Sequence, residues 1–251
     1  MRNGAGGGGC FPTGKHYPGI AHLLRIVAAG LADECQGDCS LADLPLVAID
    51  TETTGRDPAN DRVVEVGCVV WQRGDVVTRQ HWLVNPGRSI PQEAFDVHGI
   101  GDDDVRDKPA FSEIAGELVE LLSGSIPLAY NAEFDREFLK AELQRAGILH
   151  AAPPPALRKG VEWIDPLVWV RELQKEEKSK ALGEVCARLG IVLERAHRAA
   201  SDAEAAVRVL HALCGDVRVP RTYAAFIQEQ RRLSRIHDDE RKIWKRPTVA
   251  A

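Results

Sequence analysis

In the stretch LVAIDTETTG, residues 46–55, an apolar run ends in two acids, Asp50 and Glu52, set two positions apart. On a strand, alternate side chains share a face, and at a rise of about 3.3 Å per residue the two carboxylates start roughly 6.5 Å apart. Acids that close repel and raise each other's pKa unless something positive sits between them. Taken alone, the pair also suits a strand end that points into solvent. Two further acids stand in comparable places. Asp135, in YNAEFDREFL, falls in the first turn of a helix whose apolar stripe is Phe134, Phe138 and Ala141. Asp202, in HRAASDAEA, falls in the first turn of a helix that Ser201 and Glu204 open as a capping box, with His197 in the loop ahead. A helix dipole favours an acid in its first turn, so each of these has a purely structural account.

The elements that must carry these residues are legible in outline. Residues 44–50 read as a buried strand. Residues 62–71 and 76–84 read as a hairpin turning at Arg73-Gly74-Asp75, so these strands are antiparallel neighbours. Residues 126–130 and 161–166 read as short buried strands, the second ended by Pro166. Helices are expected over 91–100, 108–124, 131–147, 167–172, 181–189 and 201–213. Asn131 is the expected N-cap of the third helix and Gly147 its stop. The Pro-rich stretch 151–159 reads as an inserted loop. An antiparallel start followed by strand–helix units means a mixed α/β sheet flanked by helices. In such a sheet Asp50, Glu52, Asp135, His197 and Asp202 all lie at the ends of elements that converge on one edge.

That order of residues, with its flanking sequence, resembles the DEDDh exonucleases. This DnaQ-like group includes proofreading subunits of bacterial replicases and trimming exoribonucleases. The matching stretches are IDTETTG, IPQEAFDVHGI, YNAEFDREFL, KALGEVCARLGI and HRAASDAEA, spread over residues 46–213. The resemblance implies an RNase H-like fold with a mixed five-stranded sheet. It also implies metal-dependent 3′-to-5′ hydrolysis of phosphodiester bonds at single-stranded or frayed ends. Asp50, Glu52, Asp135 and Asp202 would hold two divalent ions, Mg²⁺ or Mn²⁺, which suit oxygen ligands. His197 would take the proton from the attacking water. The terminal nucleotide would lie against Thr51, Thr53, Thr54 and Gly55, with His98 over its sugar or base. Asn131 would either touch substrate or cap its helix, and the cap is favoured. DTETTG with VHGI is most like the replicase proofreading branch, so DNA is the expected substrate. Trimming of RNA 3′ ends is the alternative, and a non-catalytic nucleic-acid or polymerase-binding module is the reading from another class.

Bulk properties agree with a globular protein of ordinary composition. The chain has 251 residues, 44% hydrophobic and 27% charged, and a formal net charge of −5. From residue 216 onward nine Lys or Arg face five Asp or Glu, net +4, which leaves −9 on the rest. The chain divides into a Gly-rich N-terminal extension over 1–43, the nuclease domain over 44–215 and a basic helical tail over 216–251. The extension is expected to be partly disordered, with a short amphipathic helix over 19–32 that is too short to span a bilayer. The six cysteines form no disulfide framework, so a reducing, cytoplasmic setting is expected. Cys35 and Cys39, with Cys10, His16 and His22 upstream, are spaced too loosely for a zinc site to be the leading reading. In the tail, Tyr223, Phe226, Ile227, Gln230, Leu233, Ile236 and Ile243 trace a helical stripe. Three roles suit it: packing on the domain, guiding a nucleic-acid strand, or docking a polymerase or other partner.

Overall fold

The computed structural model describes residues 31–32, 37–150, 153–193 and 198–244. The chain enters β1 (Leu46–Thr53), turns back through β2 (Val63–Gln72) and returns along β3 (Asp75–Leu83). Three helices follow, α1 (Gln92–His98), α2 (Asp102–Val105) and α3 (Phe111–Leu121). The short strand β4 (Ile126–Leu128) then leads into α4 (Ala132–Arg145). The chain closes with α5 (Pro166–Leu173), α6 (Leu182–Leu189), α7 (Ala199–Leu213) and α8 (Tyr223–Trp244). The sheet order is β3-β2-β1-β4, antiparallel across the first three strands and parallel between β1 and β4.

The hairpin forms where the sequence places it. Arg73 and Gly74 both adopt positive φ, 53° and 86°, the pair of left-handed residues that matches the twist of a tight β-turn. Leu46, Val47, Ala48 and Ile49 are fully buried, so β1 is the hydrophobic spine of the domain. Helix α7 packs across β1 and β2, while α4 rests on β1 and α3 on β2 and α4. β1 runs three residues further than the expected 44–50, so Asp50 and Glu52 lie within it. The register slips between Glu52 and Thr53, a β-bulge at the site end of the strand.

The described sheet has four strands, where five were expected. The segment 161–166 contributes one parallel bridge, Leu128 to Ile164. Ile164 N–H still donates to the Pro127 carbonyl of β4 at 2.9 Å, and the Ile164 carbonyl accepts from Ala129 N–H, just past β4, at 3.1 Å. The ladder stops there because the Asp165 N–H is taken by the Gln230 side chain at 2.9 Å and Pro166 has no N–H to offer. The stretch 151–159 is a loop where it is described, with one 3₁₀ turn over Pro155–Leu157. Residues 1–30, with all but the last two residues of the helix expected over 19–32 and with Cys10, His16 and His22, lie outside the described residues, as does Cys35 in 33–36. Among the described residues no helix is long and apolar enough to cross a membrane.

The tail forms the long helix α8. Tyr223, Phe226, Ile227, Gln230 and Leu233 are buried, and the Phe226 ring stacks on Trp169 of α5 at 4.9 Å. Packing on the domain therefore consumes this part of the stripe, and it is closed to a partner; Ile236 stays 38% exposed. The start of α8 is held by residues 37–41: Tyr223 N–H donates to the Cys39 carbonyl and Ala224 N–H to that of Gly37.

Candidate active site

Strand alternation puts Asp50 and Glu52 on one face of β1, opposite Gly67 and Glu65 of β2. The same face receives the start of α7. A Cβ on Gly67 would lie 2.1 Å from the backbone of Ala199 and Ala200, so only glycine lets the helix approach this closely. That approach brings Asp202, in the first turn of α7, to Asp50 and Glu52. One ligand atom from each of the three lies within 4.8 Å of the others. Thr51 alternates away from its neighbours and donates its hydroxyl to Asp135 Oδ1 at 2.8 Å, which ties α4 to β1. Asp135 is 3% exposed, so the sequence-level account of a surface acid favoured by the dipole fails. All four carboxylates line one cleft of about 420 Å³, together with Thr51, Tyr130 and Phe134.

The electrostatics of this cleft are strained without a cation. Burial, then the charges of Asp135, Asp202, Glu52 and Glu65, push the Asp50 carboxyl well above its ordinary value. Burial first and Asp202 next push Glu52 from 4.5 to about 8. Burial pushes Asp135 from 3.8 to about 7 against the pull of the Thr51 hydrogen bond. These groups fit hard divalent cations, which take carboxylate oxygens and would neutralise the repulsion. A larger hollow, about 650 Å³ between the hairpin and α7, contains no such cluster; there Glu204 is paired with Arg79 and Arg208.

The other sequence-derived site residues divide sharply. Thr51 lines the cleft, whereas Thr53, Thr54 and Gly55 are not among its lining residues. Thr53 donates to the Gly55 carbonyl at 2.5 Å, and Thr54 accepts from Arg62 N–H at 3.0 Å. The missing Cβ of Gly55 makes room for Asp61, whose carboxylate would otherwise lie 2.3 Å from it. His98 is a buried helix-end residue whose Nδ1 accepts from Ile100 N–H at 3.0 Å. Asn131 does not cap α4 with its side chain. It sits in the left-handed region at φ 73°, and the Asp165 carboxylate accepts from the N–H groups of Asn131 and Ala132 at 3.0 and 3.1 Å. Ser201 is likewise no N-cap: α7 begins at Ala199 and the Ser201 N–H donates to the Arg198 carbonyl at 2.8 Å. His197 lies outside the described residues.

Two residues went unremarked in the sequence. Asp165 was read only as the end of a strand. Glu65 is 2% exposed, faces Glu52 across the ladder and accepts from Ala199 N–H at 3.3 Å, 4.0 Å from the Arg198 guanidinium. The available signal for Glu65 was a lone acid inside the apolar run VVEVGCVVW.

The sequence and fold can be set beside known proteins. The model of the RNase_T exonuclease family matches residues 47–210. A PolC-type DNA polymerase III from Streptococcus suis is 30% identical over 208 residues, which is 80% of this chain and 14% of that protein. A DNA polymerase III epsilon subunit from Treponema pallidum is 41% identical over 96 residues, 38% of this chain and 45% of the other. The chain therefore spans only a small part of the PolC-type relatives. Among solved structures, exonuclease X in complex with 5′ overhanging duplex DNA aligns with a TM-score of 0.55 at 24% identity, covering 72% of this chain and 98% of the other. E. coli exonuclease I in complex with a dT13 oligonucleotide aligns at 0.58 and 20%, covering 68% and 41%. At those identities the structural likeness concerns the fold.

Proposed function

Because this chain belongs to the exonuclease family, we propose that it removes nucleotides from the 3′ end of single-stranded or frayed DNA in a reaction that needs two divalent cations, Mg²⁺ or Mn²⁺. The observation that carries this reading is the set of half-buried carboxylates, Asp50, Glu52 and Asp202, whose ligand atoms lie within 4.8 Å of one another in the cleft that Asp135 also lines. Asp50, Glu52, Asp135 and Asp202, which line one cleft, would hold the ions. When bound, such a pair supplies charge stabilisation to the attacking and leaving oxygens of an in-line displacement.

The remaining roles belong to the chain itself. His197 takes the proton from the attacking water, since an imidazole titrates near neutral pH. Tyr130 and Phe134 give the cleft an aromatic wall on which a terminal base stacks. The Thr51 hydroxyl, donating to Asp135, favours the ionised form that a cation requires. The names of the PolC-type and epsilon relatives extend the proposal to work beside a DNA polymerase.

The test is a 5′-labelled oligonucleotide incubated with the protein and Mg²⁺ or Mn²⁺. A ladder of shortened labelled products supports 3′-to-5′ polarity, and EDTA or Asp50→Ala removes it. Release of the label as a single nucleotide would reverse the polarity. Faster decay of a matched RNA strand would move the substrate to RNA. Binding without metal-stimulated turnover would replace the enzyme with a binding module.

A further inference from the structure

We infer that the tail helix α8 is a positioning element of the carboxylate site, acting through Gln230 and Asp165 on the first turn of α4. The inference rests on the proposed metal-dependent reading. The Gln230 side chain holds both sides of one short segment: its Oε1 accepts from Asp165 N–H at 2.9 Å and its Nε2 donates to the Trp163 carbonyl at 2.9 Å. Arg231 holds the same segment one step earlier, with Nε donating to Glu162 at 2.8 Å and Nη2 to the Gly160 carbonyl at 3.2 Å. The segment is thus fixed by the tail where the sheet ladder gives out.

Asp165 passes this on. Its Oδ1 accepts from Asn131 N–H at 3.0 Å and Leu167 N–H at 2.9 Å, and its Oδ2 from Ala132 N–H at 3.1 Å. One carboxylate thereby caps α5 and, from 33 residues further along the chain, the start of α4. Two successive amides aimed at one anion require Asn131 to be left-handed, and asparagine tolerates that conformation better than most residues. The turn so fixed carries Tyr130, Phe134 and Asp135, all three on the cleft. The Tyr130 hydroxyl donates to the Lys180 carbonyl at 2.5 Å and so fixes the chain just before Ala181 and Leu182 on the opposite wall. The path from tail to site is therefore Gln230, Asp165, the first turn of α4, Asp135.

Residues that orient metal-binding groups from behind typically change metal affinity by about 10–100-fold when removed. The deciding variant is Gln230→Ala, because it leaves the Asp165 charge, which itself bears on Asp135, in place. Mn²⁺ binding is measured by calorimetry without substrate, and the Mn²⁺ half-saturation of oligonucleotide hydrolysis alongside it. Gln230→Ala is expected to weaken both by about fivefold, and Asp165→Asn by about tenfold or more, with kcat at saturating Mn²⁺ kept within about twofold. Leu233→Ala serves as the control: it empties a buried position of the same helix, lowers Tm and leaves both Mn²⁺ measurements at the wild-type value. Wild-type Mn²⁺ affinity in Gln230→Ala overturns the inference, as does an equal loss in Leu233→Ala. If wild type itself neither binds Mn²⁺ nor hydrolyses the oligonucleotide, the proposed function fails instead.

Discussion

Helix α4 carries two buried carboxylates seven residues apart, and their surroundings are opposite. Glu142, 1% exposed, is saturated by the protein: Arg62 grips it with two bonds of 2.7 and 3.0 Å, Arg145 adds one at 3.1 Å and Val63 N–H another at 3.2 Å. Asp135, 3% exposed, receives the Thr51 hydroxyl and faces other acids. Burying a charge is tolerable when the partner comes with the chain, and Glu142 is such a case: it ties α4 to β2 and stabilises the fold. A cluster of buried acids left without cations costs stability and persists where function selects it. The same helix therefore sets a structural carboxylate beside one that is proposed to meet a cation.

The contrast can be broken most severely at the cluster. Asp50→Asn is expected to lower hydrolysis by at least about a thousandfold while raising the Tm of the metal-free protein, because it removes a repelled charge. The pair of measurements is a rate assay with Mg²⁺ and a melt in EDTA; a lower metal-free Tm would deny that the cluster is strained. At the other end of the helix, Glu142→Gln should do the reverse. Leaving Arg62 and Arg145 without their anion costs about 3 kcal/mol in a denaturant titration, and the surviving folded protein keeps its divalent-ion requirement.

A gentler probe is pH. Glu52 is raised from 4.5 to about 8 and Asp135 from 3.8 to about 7, so the folded metal-free state binds protons that the unfolded chain releases. That stabilisation is complete below about pH 4 and is lost as pH rises through 7 and 8, by about 1 kcal/mol per pH unit for each proton of difference. Melts in EDTA should therefore fall across that window, and added Mg²⁺ should restore more stability at pH 8 than at pH 6. The smallest effect is expected from Thr51→Val, which removes one hydrogen bond to Asp135 and about 1 kcal/mol of support for its ionised form. It should raise the half-saturating Mg²⁺ concentration by a few fold, and an unchanged value would remove Thr51 from the site's support.

Much of the site could be read without coordinates. The alternation of β1 put Asp50 and Glu52 on one face, and Asp135 and Asp202 do lie in first turns, although the position of Asp202 was argued from a cap at Ser201 that the structure moves to Arg198. The hairpin followed from Arg73-Gly74. Caps were the weak point. Asn131 and Ser201 have the right chemistry for an N-cap, yet α4 is capped by Asp165 from another segment and α7 starts two residues before Ser201, where Glu65 accepts its first amide. The threonines and glycine of DTETTG were expected against a nucleotide; in the fold Thr53 bonds the Gly55 carbonyl, Thr54 bonds Asp61 and Arg62, and Gly55 makes room for Asp61.

Residue order alone determined the chemistry: which acids exist, which element each begins or ends, and the periodicity that aims each side chain. These are local properties, set by two or three neighbours along the chain. Tertiary structure decided which acids the chain itself compensates and which it leaves clustered for the proposed cations, because charge compensation comes from residues distant in sequence. Arg62 reaches Glu142 across 80 positions, Thr51 reaches Asp135 across 84, and Gln230 reaches Asp165 across 65. No local pattern encodes such pairings, since they are fixed only when the sheet and its helices close around them.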